Sequence, residues 1–259
     1  MDAQVFYDGF GCEYDLMVSW EQRLAREEPF FERVFAESNA RRVLDAACGT
    51  GMHVIAFARA GRECTGADLS LVMVEKARQN ALDAGVPARF VVAGFGELKS
   101  RVGGLFDAVT CLGNSLPHLL DEESLRCCLA DFASVLAPGG ILVIQNRNYD
   151  RLLKERQRFM PPVSHGDGEE ETLFLRITEY PTAGAAADEA IDFTLLTLKK
   201  RSGGWDMHEQ STPLRALRRS TMESELRRAG FVRVRAYGSY AHDDFNATSS
   251  NDLVIVAAR

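Results

Sequence analysis

Past residue 40 the chain alternates short apolar runs with amphipathic stretches, the rhythm of parallel strands joined by crossover helices. The runs at 42–46, 63–67, 88–93, 106–112 and 140–147 read as strands. Helices between them are expected to begin near Met52, Ser70 and Asp121, with Ser70 and Asp121 as N-caps and Gly61 and Gly85 as stops. Pro138-Gly139-Gly140 should turn the chain into the fifth strand. Ahead of this pattern, residues 1–40 form a helical arm. Tyr14, Met17 or Val18, and Leu24 share one face near Trp20, and Pro29 starts a second helix carrying Phe31, Val34 and Phe35.

Beyond the fifth strand the rhythm changes. Pro161 to Glu171 reads as a polar loop, followed by strand-like runs from Leu173 to Tyr180, Ile191 to Lys200 and Trp205 to Leu214. Ile191 to Leu195 alternates as a half-buried antiparallel strand does, and Ser202-Gly203-Gly204 suits a hairpin turn. Ser220 and Glu223 form a capping box for a helix ending at Gly230, and runs at 231–237 and 252–258 close the chain. The pattern predicts an α/β, Rossmann-like seven-stranded sheet spanning 41–259, with an antiparallel β insertion at 165–215 and the arm as a lid.

The run Val43-Leu44-Asp45-Ala46-Ala47-Cys48-Gly49-Thr50-Gly51 carries the strongest chemical signal. A strand ends in a glycine-rich turn, where Gly49 and Gly51 allow close backbone approach, and a helix then offers its unpaired N–H groups. Asp68 ends the next strand, where a carboxylate accepts both hydroxyls of a ribose. The turn continues Met52-His53-Val54, without the third glycine of a dinucleotide site, and no phosphate loop of the Gly-x-x-x-x-Gly-Lys-Ser/Thr type occurs. After the fourth strand comes Leu112-Gly113-Asn114-Ser115-Leu116-Pro117-His118, and after the fifth Gln145-Asn146-Arg147-Asn148-Tyr149-Asp150. These clusters should meet beyond the carboxyl ends of the strands. There Arg147 would clamp a carboxylate, or pair with Asp150 or Glu155 as a structural bridge. Asn114 would orient an amine, and His118 would accept a proton or simply pack.

Composition narrows the partners. With 259 residues, 46% of them hydrophobic, the chain can bury a full core. A formal charge of −7 and the lack of a basic stripe argue against a nucleic-acid substrate. No stretch reads as a membrane span or signal peptide. The six cysteines (Cys12, Cys48, Cys64, Cys111, Cys127 and Cys128) lack metal-ligand spacing, so free thiols in a reducing cytoplasm are expected and no metal. The oligomeric state is left open.

Val43 to Gly51 resembles motif I of the class I S-adenosylmethionine-dependent methyltransferases. The combination of Leu-Gly-Asn-Ser-x-x-His-Leu, Pro-Gly-Gly and Arg-Asn-Tyr-Asp, with the arm from Tyr14 to Arg23, resembles the glycine and sarcosine N-methyltransferases over most of 1–150. The resemblance implies S-adenosyl-L-methionine as cofactor, S-adenosyl-L-homocysteine as product, and methyl transfer to the nitrogen of a small amine or amino acid. It implies that Asp68 binds the ribose, Arg147 the acceptor carboxylate, and Asn114 lies by the reacting amine, with His118 and Tyr149 beside it. The implied cofactor wall is Asp45, Ala47, Cys48, Gly49, Gly51, Leu69, Met73, Gly94, Phe95, Leu112 and Asn114, closed by Tyr7, Trp20 and Arg23. Two departures stand out: Gln145-Asn146 replaces the Asp-His usual before Arg-Asn-Tyr-Asp, and Gly94 stands where an acid often recognises adenine. The Phe95 backbone, with Glu97 as second candidate, should serve instead. Alternatives are O- or N-methylation of a larger metabolite, a non-catalytic cofactor-binding sensor and, most distantly, a nicotinamide oxidoreductase.

Overall fold

The computed structural model describes residues 3–10, 13–180 and 190–259, with the Glu169 side chain left aside. The arm comprises α1 (Ala3–Phe10), α2 (Tyr14–Met17) and α3 (Trp20–Glu37). Then β1 (Arg42–Ala46), α4 (Met52–Arg59), β2 (Glu63–Asp68), α5 (Leu71–Asp83), β3 (Arg89–Val92), α6 (Leu98–Arg101), β4 (Phe106–Cys111), α7 (Glu122–Val135), β5 (Leu136–Arg147) and α8 (Tyr149–Glu155) follow. The chain continues through β6 (Val163–His165), β7 (Thr172–Glu179), β8 (Ala190–Arg201) and β9 (Gly204–Arg215). It ends in α9 (Arg219–Arg228), β10 (Arg233–Tyr237) and β11 (Asp252–Ala258).

Seven strands form one sheet in the order β10-β11-β5-β4-β1-β2-β3, parallel except for β11, which runs against both neighbours. Leu44, Val109, Leu142 and Ile144 pack on one face, and Val43, Ala108, Val143 and Val254 on the other; all are buried, as strands covered by helices on both sides require. The strand order reverses between β1 and β4, which opens a crevice beyond their carboxyl ends. Strands β6 to β9 make a second, antiparallel sheet, and Phe174 and Leu195 from it bury Phe6 and Phe10 of the arm.

Several local expectations change. Pro29 does not start a helix but lies inside α3. Its missing N–H removes one helical bond, yet the buried Phe30, Phe31, Val34 and Phe35 hold the helix through it. Helix α9 starts at Arg219, and no side chain of its N-cap residue, Arg218, caps it. Instead of a Ser220 capping box, the Asp150 carboxylate accepts the Arg219 N–H at 3.1 Å, and Glu223 pairs with Arg219 at 2.6 Å. Pro138-Gly139-Gly140 sits within β5, where pairing slips between Phe106 and Ala108. The loop from Pro161 to Glu171 contains β6 and a single 3-10 turn. Ser70 and Asp121 do cap α5 and α7, accepting from Met73 N–H at 3.1 Å and Ser124 N–H at 2.7 Å. Cys48, Cys64, Cys111 and Cys128 are buried free thiols and Cys127 an exposed one; Cys12 lies outside the described residues.

Candidate active site

Where β1 ends, Ala47 and Gly49 take left-handed conformations (φ 65° and 54°), and Cys48 N–H returns to Ala67 of β2 at 2.9 Å. This turn carries Gly49 N–H to 2.8 Å from one Asp68 oxygen, while Ser70 N–H reaches the other at 2.9 Å. Burial raises the Asp68 pKa, and these two bonds oppose the rise by holding the anion. Asp45, also buried, is pushed up to about 6 by desolvation and accepts the Thr110 hydroxyl at 2.6 Å.

A cavity of about 580 Å³ opens over this turn. Of the positions expected on the cofactor wall, Tyr7, Trp20, Arg23, Asp45, Ala47, Cys48, Gly49, Asp68, Leu69, Met73, Gly94, Phe95 and Leu112 line it, together with His118. A Cβ on Gly49 would meet no protein atom within 4 Å. Gly51 is not on the wall. A Cβ there would lie 2.8 Å from Phe90 and 2.9 Å from Ala77, so packing of α4 excludes a side chain, not ligand approach. Glu97 does line the cavity, but its carboxylate is engaged by Gly94 N–H at 3.0 Å and Arg101 at 3.2 Å.

Asn114 belongs to a second, smaller cavity of about 190 Å³ instead, together with Arg147. Tyr7, Tyr14, Arg23, Gly113 and His118 line both spaces, so the two cavities abut. Asn114 is held in the left-handed region (φ 65°) and is fixed from three sides. Its N–H donates to Gln145 O at 3.1 Å, its Oδ1 accepts Arg147 N–H at 2.9 Å, and its Nδ2 donates to the Tyr149 hydroxyl at 3.0 Å. Tyr149 lines neither cavity; it stands buried behind Asn114, its hydroxyl pushed up to about 12 by burial. The Arg147 guanidinium has no ion pair among the described residues. Asp150 is taken by Arg219 N–H and Glu155 by Arg151 at 2.9 Å, which removes the structural-bridge reading.

The rest of the polar run after β5 supports rather than faces the cavities. Gln145 accepts Gly113 N–H at 2.8 Å and donates to Asp252 at 2.9 Å, and Asn148 caps α8 through Arg151 N–H at 3.2 Å. The arm is tied down by buried charge. Arg23 donates to Glu27 at 2.9 Å, and His53 lies 2.7 Å from the other Glu27 oxygen. Burial alone would raise the Glu27 carboxyl, but His53 and Arg23 hold it below its usual value. Asp15 accepts from Trp20 Nε1 at 2.8 Å, Thr50 Oγ1 at 2.6 Å and Asn80 Nδ2 at 3.1 Å, latching the arm to the turn. The Tyr7 hydroxyl lies 3.2 Å from His118 Nε2.

Residues from the second sheet were not foreseen on either wall. Thr212 and Pro213 line the larger cavity, and Arg176, Thr178, Phe193 and Leu214 the smaller. The alternation at 191–195 marked an inward face, but nothing local says what it covers.

Residues 43–140 match the methyltransferase domain family. A glycine/sarcosine N-methyltransferase of Aphanothece halophytica is 41% identical over 150 residues, 58% of this chain and 57% of that enzyme. A glycine/sarcosine/dimethylglycine N-methyltransferase of Actinopolyspora halophila is 33% identical over 251 residues, 95% of this chain and 40% of its own. The chain thus spans about half the length of the relatives it matches. The solved CcbJ methyltransferase of Streptomyces caelestis shares the fold, with a TM-score of 0.78 at 20% identity, covering 99% of this chain and 98% of that one.

Proposed function

We propose, for a chain that carries a class I methyltransferase domain and resembles the glycine and sarcosine N-methyltransferases, that it methylates the nitrogen of a small amino-acid-like amine from S-adenosylmethionine. One observation carries the reading: a larger cavity with Asp68 in its wall abuts a smaller one holding an unpaired Arg147. The first fits the cofactor. Asp68, an acceptor fixed by two backbone N–H groups, takes ribose hydroxyls, the bare Gly49 leaves room for the chain beyond, and Leu69, Met73, Phe95 and Leu112 give apolar walls. When bound, S-adenosylmethionine supplies an electrophilic methyl group on a positively charged sulfur.

The chain's own residues then do the positioning. Arg147 grips the acceptor carboxylate, and its charge favours the unprotonated amine that the reaction needs. Asn114, fixed by Arg147 N–H and Tyr149, presents its amide beside that amine. Tyr7, Tyr14 and Arg23 close the arm over both spaces, Trp20 over the larger alone, and together they exclude water. Orientation of this kind is worth roughly 7–11 kcal/mol of barrier. A space of about 190 Å³ falls below the range of roughly 300–1,000 Å³ for drug-sized ligands, which supports a compact acceptor over a larger metabolite. Free thiols at the described cysteines suit a reducing, cytoplasmic setting.

The test is transfer of labelled methyl to glycine and sarcosine beside a panel of larger amines. Arg147→Ala is expected to raise the acceptor KM about tenfold or more while leaving cofactor affinity within about twofold. Turnover of larger amines with none of either amino acid would sink the proposal. Cofactor binding with no transfer to any amine would instead leave a sensor.

A further inference from the structure

Arg147 has a companion. Arg176 on β7 shares a face with Phe174 and Thr178, both buried, because alternate residues of a strand point the same way, and it lines the smaller cavity. It lies outside the matched domain of residues 43–140. One Nη donates to Pro161 O at 3.2 Å, whereas Nε is buried without a hydrogen-bond partner. Burial and then the charge of Arg147 lower its pKa, so the two guanidinium groups sense each other. A third cation on the wall, Arg23, is already answered by Glu27. Among the described residues no Asp or Glu lines this cavity, and neither Arg147 nor Arg176 has an ion-pair partner. Two partly buried cations with an unanswered donor are costly unless an anion joins them. A single carboxylate on Arg147 would leave the second charge unmet.

We propose, resting on the methyl-transfer reading above, that Arg176 is a second anion-binding residue and that the preferred acceptor is a small amine with two negative charges. Two carboxylates on an amino acid, or one doubly charged phosphonate, supply the same chemistry. Arg176 thus sets which amine is chosen, while Arg147 and Asn114 place it.

Calorimetry on the protein saturated with S-adenosylhomocysteine, with glycine, sarcosine, aspartate and aminomethylphosphonate as probes, tests this directly, and turnover of the same four is followed in parallel. Aspartate or aminomethylphosphonate should bind at least about tenfold tighter than the singly charged pair, and the better of the two names the anion. Arg176→Gln should erase that margin while moving glycine and sarcosine by less than about threefold, and Arg176→Lys should restore part of it. Wild-type binding of all four with equal affinity, or an equal loss of all four in the Gln variant, overturns the proposal. Should Arg176→Gln not fold, the wild-type comparison alone decides. Tight binding of the doubly charged probes through Arg176 with none of the four methylated would uphold the anion site and bring down the methyl-transfer reading instead.

Discussion

Asp45 is a carboxylate whose buried position works against the fold. Its pKa rises from 3.8 to about 6 because desolvation outweighs the Thr110 bond and the His53 charge. A raised carboxylate pKa means the folded state holds its proton more tightly than the unfolded state. Stability therefore falls as pH climbs from about 4 to about 6, and the whole penalty, on the order of 3 kcal/mol, is present above that window. Asp45→Asn keeps an oxygen for Thr110 and removes the charge. In urea titrations without cofactor it should be more stable than the wild type at pH 7.5, with the difference vanishing near pH 4; a variant weaker at both pH values would contradict this. Asp68 is legible from its spacing after Gly49, because a strand end beside a glycine turn defines its place. Asp45 is read from the chain as a strand residue on the cofactor wall, but its raised pKa is not, since the desolvation that shifts it comes from elements distant in sequence.

Among elements, the arm shows most clearly where local signals stop. Its helical character was readable from apolar spacing, yet the face read from Tyr14 to Leu24 is broken at Val18 and Ser19 between α2 and α3, and α3 runs through Pro29 because four buried aliphatic and aromatic side chains outweigh one lost bond. The latch through Asp15 has no local signature at all, for Thr50 and Asn80 lie 35 and 65 residues away. Asp15→Ala strands three donors and should cost roughly 1.5–3 kcal/mol. Hydrogen exchange is expected to quicken across α1 and α2 while α4 stays protected, and cofactor affinity should weaken. Unchanged exchange in the arm would show that the latch does not hold it. Likewise α9 was placed correctly, but its N-terminal partner is Asp150 and not its own Ser220.

On the scale of the whole molecule, two sheets and an arm meet around adjoining cavities. Phe6 and Phe10 from α1 pack with Phe174 and Leu195 from the second sheet, all nearly inaccessible. Phe174→Ala should cost about 3–5 kcal/mol and loosen the wall of the smaller cavity. Acceptor KM is then expected to rise more than cofactor affinity falls, as initial-rate kinetics and calorimetry would reveal; equal losses in both would mean that the cluster supports the larger cavity as strongly.

The residues by themselves determined what depends on neighbours along the chain. Strand and helix periods, the caps Ser70 and Asp121, and the glycine turn facing Asp68 all follow from backbone geometry within a few residues or one crossover. Tertiary structure alone decided which polar side chains face an open space and which face a partner. Arg147 makes no ion pair among the described residues, while the acids that follow it in the chain bond Arg219 and Arg151; Tyr149 withdraws behind Asn114, and Arg176 enters from a distant strand. Hydrogen bonding and desolvation act through space, so no spacing in the chain encodes them.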